Sequence, residues 1–216
     1  MAHSDGLDRS LPRGVNFVVG RKILRALTVV TLVATVSLVV TAQPAAAVSY
    51  QSYIVESVNS VKAGTPRAMA VQNALPDYGM PAIQYTYSAA KPWNDIMTLE
   101  IEPGNIVRIK PQHTFSPDQY PHNDKCLAIQ YNQSGYNRPI VNVDCTYDSV
   151  NNDVWYLDAY YLGGFGPAYQ LRNMAHGTCI VVQGASTQNN AALVTHNCNG
   201  GDNHFWRMTM TSVIYP

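Results

Sequence analysis

The sequence predicts an all-β domain built from three repeated units, on three observations. Gly, Pro, Asn and Asp interrupt the chain every eight to twelve residues or so, the punctuation of short strands and tight turns. The cysteines are spaced 19 residues apart twice, Cys126 to Cys145 and Cys179 to Cys198, and a tryptophan follows each pair, Trp155 and Trp206. Fourteen Tyr stand against four Phe, as suits a half-exposed β surface. Composition and periodicity alone fit a sandwich or a barrel equally well.

The first element is a leader. Arg21, Lys22 and Arg25 precede an uncharged apolar run from Ala26 to Ala42, and Gln43-Pro44-Ala45-Ala46-Ala47 ends in a small-x-small pattern. This reads as a signal peptide over residues 1–47, cleaved after Ala47, because the run is short of the about 20 residues that a retained span needs. A secreted, extracellular protein follows, with no membrane span after cleavage. The formal net charge of +0 divides accordingly. The leader holds Arg9, Arg13, Arg21, Lys22 and Arg25 against Asp5 and Asp8, so residues 48–216 carry nine basic and twelve acidic side chains. An acidic domain lacks the cationic footprint for phosphate, which argues against nucleic acid as a partner. Four cysteines, all downstream of the leader, read as disulfides in an oxidising compartment; zinc is disfavoured because no close C-x-x-C spacing occurs.

The units follow in order, over about 48–101, 102–163 and 164–216. Lys125-Cys126-Leu127-Ala128-Ile129-Gln130 matches Thr178-Cys179-Ile180-Val181-Val182-Gln183, each a short half-buried strand. Polar, turn-prone stretches follow, and then apolar strands, Ile140-Val141 and Leu193-Val194, lead to the second cysteines. A weaker first copy begins at Arg67-Ala68-Met69-Ala70-Val71-Gln72, with Ala68 in place of the first cysteine. Pro81 then lines up with Pro139, Thr86-Tyr87 with Thr146-Tyr147, and Trp93 with the later tryptophans, which makes Trp93, Trp155 and Trp206 all core candidates. Gln51–Lys62 has some helical spacing but is rich in Val and Ser, and Gly163-Gly164-Phe165-Gly166 reads as an inter-unit loop. Units of this size cannot bury their apolar faces alone, so the three must close on one another.

The repeated Cys-Leu/Ile-x-Ile/Val strand, the second cysteine of each repeat, and Cys198-Asn199-Gly200-Gly201-Asp202-Asn203-His204-Phe205-Trp206 resemble the ricin B-type lectin family, whose repeats end in Gln-x-Trp. The resemblance covers nearly all of 48–216 and is strongest in the third unit. It implies a β-trefoil of twelve strands in three pseudo-symmetric lobes, a disulfide within each of the last two, and room for at most one shallow sugar site per lobe. In the family an Asp two residues after the first cysteine accepts hydrogen bonds from the sugar. An aromatic two before the second cysteine stacks on it, and an Asn three before the Trp adds a polar contact.

This sequence departs from that set. Ala70, Ala128 and Val181 stand at the Asp position; Tyr85, Val143 and His196 at the stacking position; Ala90, Asn152 and Asn203 at the Asn position; and Lys91, Asp153 and His204 at the Gln of the terminal motif. Loss of the Asp removes a charge-assisted acceptor, a loss of about 1.5–3 kcal/mol. The candidate carbohydrate-binding residues are therefore His196 as a ring platform, Asn203 and Asn152, and Gln183 and Gln130, which recur with Gln72 beside the vacant Asp position. The same recurrence equally fits a fold requirement, and Asn203 equally fits a turn. The expected ligand is a glycan or polysaccharide, bound weakly. No cofactor or metal is expected, because no H-E-x-x-H or G-x-S-x-G occurs and His176, His196 and His204 lack metal spacing. Catalysis is not expected either. The alternative function is a trefoil that binds a protein partner, as an inhibitor or toxin subunit, suggested by the missing Asp and by the Thr114–Asn123 insertion.

Overall fold

The computed structural model describes residues 48–87, 92–114, 124–146 and 151–211. The expected leader, the Thr114–Asn123 insertion beyond Thr114, and Ala90, Lys91 and Tyr147 lie outside the described residues. Among the described residues no helix is long and apolar enough to cross a membrane.

Twelve strands fall into three quartets. The first holds β1 (Ser49–Ser57), β2 (Ala68–Val71), β3 (Ala82–Tyr85) and β4 (Ile96–Glu102). The second holds β5 (Ile106–Pro111), β6 (Lys125–Ile129), β7 (Ile140–Asp144) and β8 (Val154–Tyr161). The third holds β9 (Pro167–Asn173), β10 (Cys179–Val182), β11 (Ala191–His196) and β12 (Trp206–Met210). The first and last strands of the quartets pair antiparallel in a ring, β1–β4–β5–β8–β9–β12 and back to β1. A closed ring leaves no free sheet edge. The middle strands form three hairpins, β2–β3, β6–β7 and β10–β11.

Alternation along these strands sends every second residue inward. Met69 and Val71, Leu127 and Ile129, and Ile180 and Val182 take equivalent places in one shared core, as do Ala82, Ile140 and Leu193. Burying such side chains contributes about 1.5–3 kcal/mol each, which no single lobe could collect alone. The closing strands add Trp155 and Trp206, both fully buried, whose indole N–H groups donate to Leu127 O at 2.9 Å and Ile180 O at 3.1 Å.

The first quartet corrects one expectation. Trp93 is not core: it is 47% exposed, and Met97 fills the place of Trp155 and Trp206 with Leu99 beside it. The register explains why. A constant offset of 58 residues relates Ala68 to Cys126, Gln84 to Asn142 and Met97 to Trp155, so Trp93 corresponds to Asn151. Asn94 and Asp95, rather than Ala90 and Lys91, then stand with Asn152–Asp153 and Asn203–His204, and Thr86-Tyr87 stands with Asp144-Cys145 rather than with Thr146-Tyr147. The Gln51–Lys62 stretch resolves into most of β1 followed by a single helical turn, Val58–Lys62, since Val-rich alternation outweighs its helical spacing. Gly163–Phe165 forms the tip of the β8–β9 hairpin, which joins the second quartet to the third, as expected of an inter-unit loop.

Two disulfides, Cys126–Cys145 and Cys179–Cys198, close the hairpins of the second and third lobes. Each closes a short loop and contributes about 3 kcal/mol in the chain-entropy model. A second set of ties is polar and threefold. Gln84 Nε2 donates to Ser186 O and Gln188 O, Asn142 Nδ2 to Pro76 O and Asp77 O, and Thr195 Oγ1 to Gly135 O. All three residues are buried, and each binds the loop of a neighbouring hairpin, so these contacts fix how the three caps meet.

Candidate functional site

Each β2-type strand ends in the same tight turn. Gln72 and Gln130 donate their backbone N–H to Pro81 O and Pro139 O, both at 2.9 Å, and the next two residues take positive φ. These are Asn73 and Ala74 in the first lobe, Tyr131 and Asn132 in the second, and Gly184 and Ala185 in the third. The recurring Gln72, Gln130 and Gln183 therefore open a required turn, the structural half of the sequence-based expectation. Asn203 Nδ2 donates to Val182 O at 3.2 Å and Asn152 Nδ2 to Ile129 O at 3.0 Å, so both amides fasten the closing segment to that turn. Gly201 packs tightly here: a Cβ would lie 3.0 Å from Asn203 Oδ1 and 3.1 Å from Asn199 Oδ1.

Behind the turns, the position where the sequence resemblance implies an Asp is filled by packed apolar atoms. Ala70 and Ala128 are wholly inaccessible and Val181 is 2% exposed. What lies in front differs from lobe to lobe. In the first lobe a cleft of about 670 Å³ opens between the turn residues Asn73 and Ala74, Ile83 and Tyr85 of β3, and the Trp93–Asp95 turn. Thr86, His113 from the segment after β5, and Asn190 from the third hairpin complete its wall. Tyr85 and Trp93 are 41% and 47% exposed, which gives two flat apolar surfaces among convergent amides. That combination suits a sugar ring, apolar on its face and polar at its edge. The sequence reading named Tyr85 at the stacking position but assigned Trp93 to the core and did not mark Asn94.

In the second lobe Val143 replaces the ring and is nearly buried. In the third, His196 is half-buried; the Tyr136 ring stacks on it at 5.1 Å between centroids, and His204 meets it edge-on at 5.5 Å. His196, Asn203 and Gln183 thus share one neighbourhood, whereas Gln130 and Asn152 belong to the ringless second lobe.

Burial holds the His204 ring below the usual histidine value of 6.5, helped by repulsion from His196. Burial does the same to His113, partly offset by its contact with Leu75 O at 3.5 Å. The unfolded chain therefore binds more protons than the folded one near pH 6, and stability rises with pH there. Thermal unfolding should move to lower temperature as pH falls through 6.5, until the depressed folded values are reached. His204→Gln should flatten that slope relative to the parent, and an unchanged slope in the variant would remove His204 as its source.

Six barrel strands capped by three hairpins in threefold repetition define a β-trefoil. A family model described as "Ricin-type beta-trefoil lectin domain-like" matches residues 151–215, which lie in the last third of the chain. The chain is similar to the designed 3-fold symmetric protein ThreeFoil, with 23% identity over 73% of this chain and 96% of that one and a TM-score of 0.59. It is similar to the Rhizoctonia solani agglutinin at 12% identity, over 76% of this chain and 98% of that one, with a TM-score of 0.58. An exo-β-1,3-galactanase from Clostridium thermocellum aligns at 15% identity and a TM-score of 0.60, over 74% of this chain but only 30% of the enzyme. Identities of this size speak for the fold. No curated protein matches the chain in sequence.

Proposed function

We propose that the protein is a secreted carbohydrate-binding β-trefoil that acts by binding rather than catalysis, and that the first-lobe cleft is its working site. The observation that carries this reading is the pairing of exposed Trp93 and Tyr85 across a cleft with Asn73, Asn94 and Asn190 on its walls. Secretion is supported by the leader pattern and by the two disulfides, which persist in oxidising compartments. The weakness of binding follows from the buried alanine where a carboxylate would accept hydroxyl protons. In the third lobe, which holds His196, Asn203 and Gln183, the Tyr136 ring covers His196. In the second lobe, where Gln130 and Asn152 lie, Val143 stands at the stacking position in place of a ring, so those residues take a secondary part.

The test is a glycan array followed by titration of the purified protein, monitored by tryptophan fluorescence. Trp155 and Trp206 are shielded from solvent, so a sugar-dependent change should come from Trp93 and vanish in Trp93→Ala. Silence across plant, fungal and bacterial cell-wall glycans would sink the lectin reading. It would favour the second one, a scaffold that binds a protein partner, which the loss of all three Asp positions supports.

A further inference from the structure

One loop position differs between the three caps in a way that decides access. Asn190, Gly79 and Asn137 each take positive φ and donate a backbone N–H to the buried polar residue of the next hairpin: Gln84 O at 3.0 Å, Asn142 O at 2.6 Å and Thr195 O at 2.7 Å. The residue just before each is therefore delivered beside the stacking position of another lobe. Asn189 goes to the first lobe, Tyr78 to the second and Tyr136 to the third.

Their chemistry differs. Asn189 Oδ1 accepts from Thr86 N–H at 2.9 Å and lies 3.0 Å from Thr86 Oγ1, so this short side chain is spent on the strand end and Tyr85 stays open. Asn197 occupies the place of Thr86 in the third lobe, and there Tyr136 Oη donates to Asn197 Oδ1 at 2.5 Å. The same anchor now carries a ring, which lies over His196 at 25° between planes. Beneath it His196 Nδ1 is buried with no hydrogen-bond partner among the described residues. A buried nitrogen left unmatched is costly, and a ligand hydroxyl could satisfy it only if the ring moved aside. Tyr136 is itself 50% exposed, held by one stack and one hydrogen bond, so it is placed to move.

We propose that Tyr136 is a lid on a third-lobe sugar site, and that the residue at this loop position determines which lobe admits ligand. The clause about sugar rests on the reading of the first-lobe cleft; the covering of His196 does not. In the full-length protein, Tyr136→Asn should raise the rate at which diethyl pyrocarbonate modifies His196 several-fold, with His176 unchanged as the internal control. Tyr136→Phe, which keeps the ring and loses only the Asn197 bond, should fall between variant and parent. Galactose at millimolar concentration should slow His196 modification in Tyr136→Asn and leave the parent rate alone. In the reverse exchange, Asn189→Tyr should remove the Trp93 fluorescence response to galactose. An unchanged His196 rate in Tyr136→Asn overturns the lid. A faster rate that neither galactose nor any other array sugar slows overturns the sugar site beneath it. Failure of the first-lobe reading shows separately, as a parent protein without any Trp93 response.

Discussion

Trp93→Ala is expected to leave unfolding within about 0.5 kcal/mol of the parent, whereas Trp155→Ala or Trp206→Ala should cost about 3–5 kcal/mol. The three tryptophans look alike in the sequence and differ in what surrounds them. Trp155 and Trp206 are fully buried and each donates its indole N–H to a buried carbonyl. Truncation empties a large volume at the centre of the shared core and leaves that carbonyl unmatched. Trp93 is 47% exposed at the lip of a cleft, and Met97 already fills its supposed core place. Its removal should instead appear in binding. Losing one stacking face costs about 1.5 kcal/mol, roughly tenfold in affinity, on a site already short of a carboxylate. Urea unfolding of the three variants separates the two roles. If Trp93→Ala unfolds as easily as Trp206→Ala, the offset that equates Met97 with Trp155 is wrong.

That offset also shows how far the sequence could be read. The repeated Cys-x-x-x-Gln strands and the turns between them carry a strong local signal, because apolar alternation and glycine or asparagine at positive φ are written residue by residue. The all-β class and the threefold repeat follow from these alone. Anchoring the first copy on its tryptophan, however, imposed a gap where the chain has none, and shifted Asn94 and Asp95 out of view. The clue was present: Asn94-Asp95-Ile96-Met97 matches Asn152-Asp153-Val154-Trp155 without a gap, with methionine in the large apolar place. The polar ties of Gln84, Asn142 and Thr195 were less legible, because a buried polar residue in a short strand looks like a solvent-facing one until its partner loops are known. The covering of His196 by Tyr136 joins residues 60 apart in different lobes, and nothing local encodes it. The candidate list placed its emphasis on the lobe whose ring is covered.

The barrel wall holds the second large effect, in a buried lysine that no local pattern singles out. Lys110 on β5 is 1% exposed, and its Nζ lies 2.7 Å from Glu100 Oε2 and 3.1 Å from Asp124 Oδ2. Glu100 also faces Arg108 at 3.6 Å, and Arg108 in turn pairs with Glu102 and lies 4.0 Å from Asp153. Asp124 leads directly into β6, and its carbonyl accepts the Cys145 N–H at 3.1 Å, so Lys110 ties the second hairpin to the barrel by charge. Lys110→Met keeps most of the side-chain volume but removes the cation from between two buried carboxylates. Loss of a cation shared by two buried carboxylates should lower stability by about 3–5 kcal/mol. The cost should depend only weakly on added salt, since mobile ions do not reach the site. Removing the charge as well, with Glu100→Gln and Asp124→Asn beside Lys110→Met, should recover much of the loss, because neutral amides escape the desolvation penalty of anions that have lost a buried cation. Chemical denaturation at pH 7 in low and high salt distinguishes the two causes. If the triple variant is no more stable than Lys110→Met, then packing lost at Lys110 is the source and not the charge stranded around it.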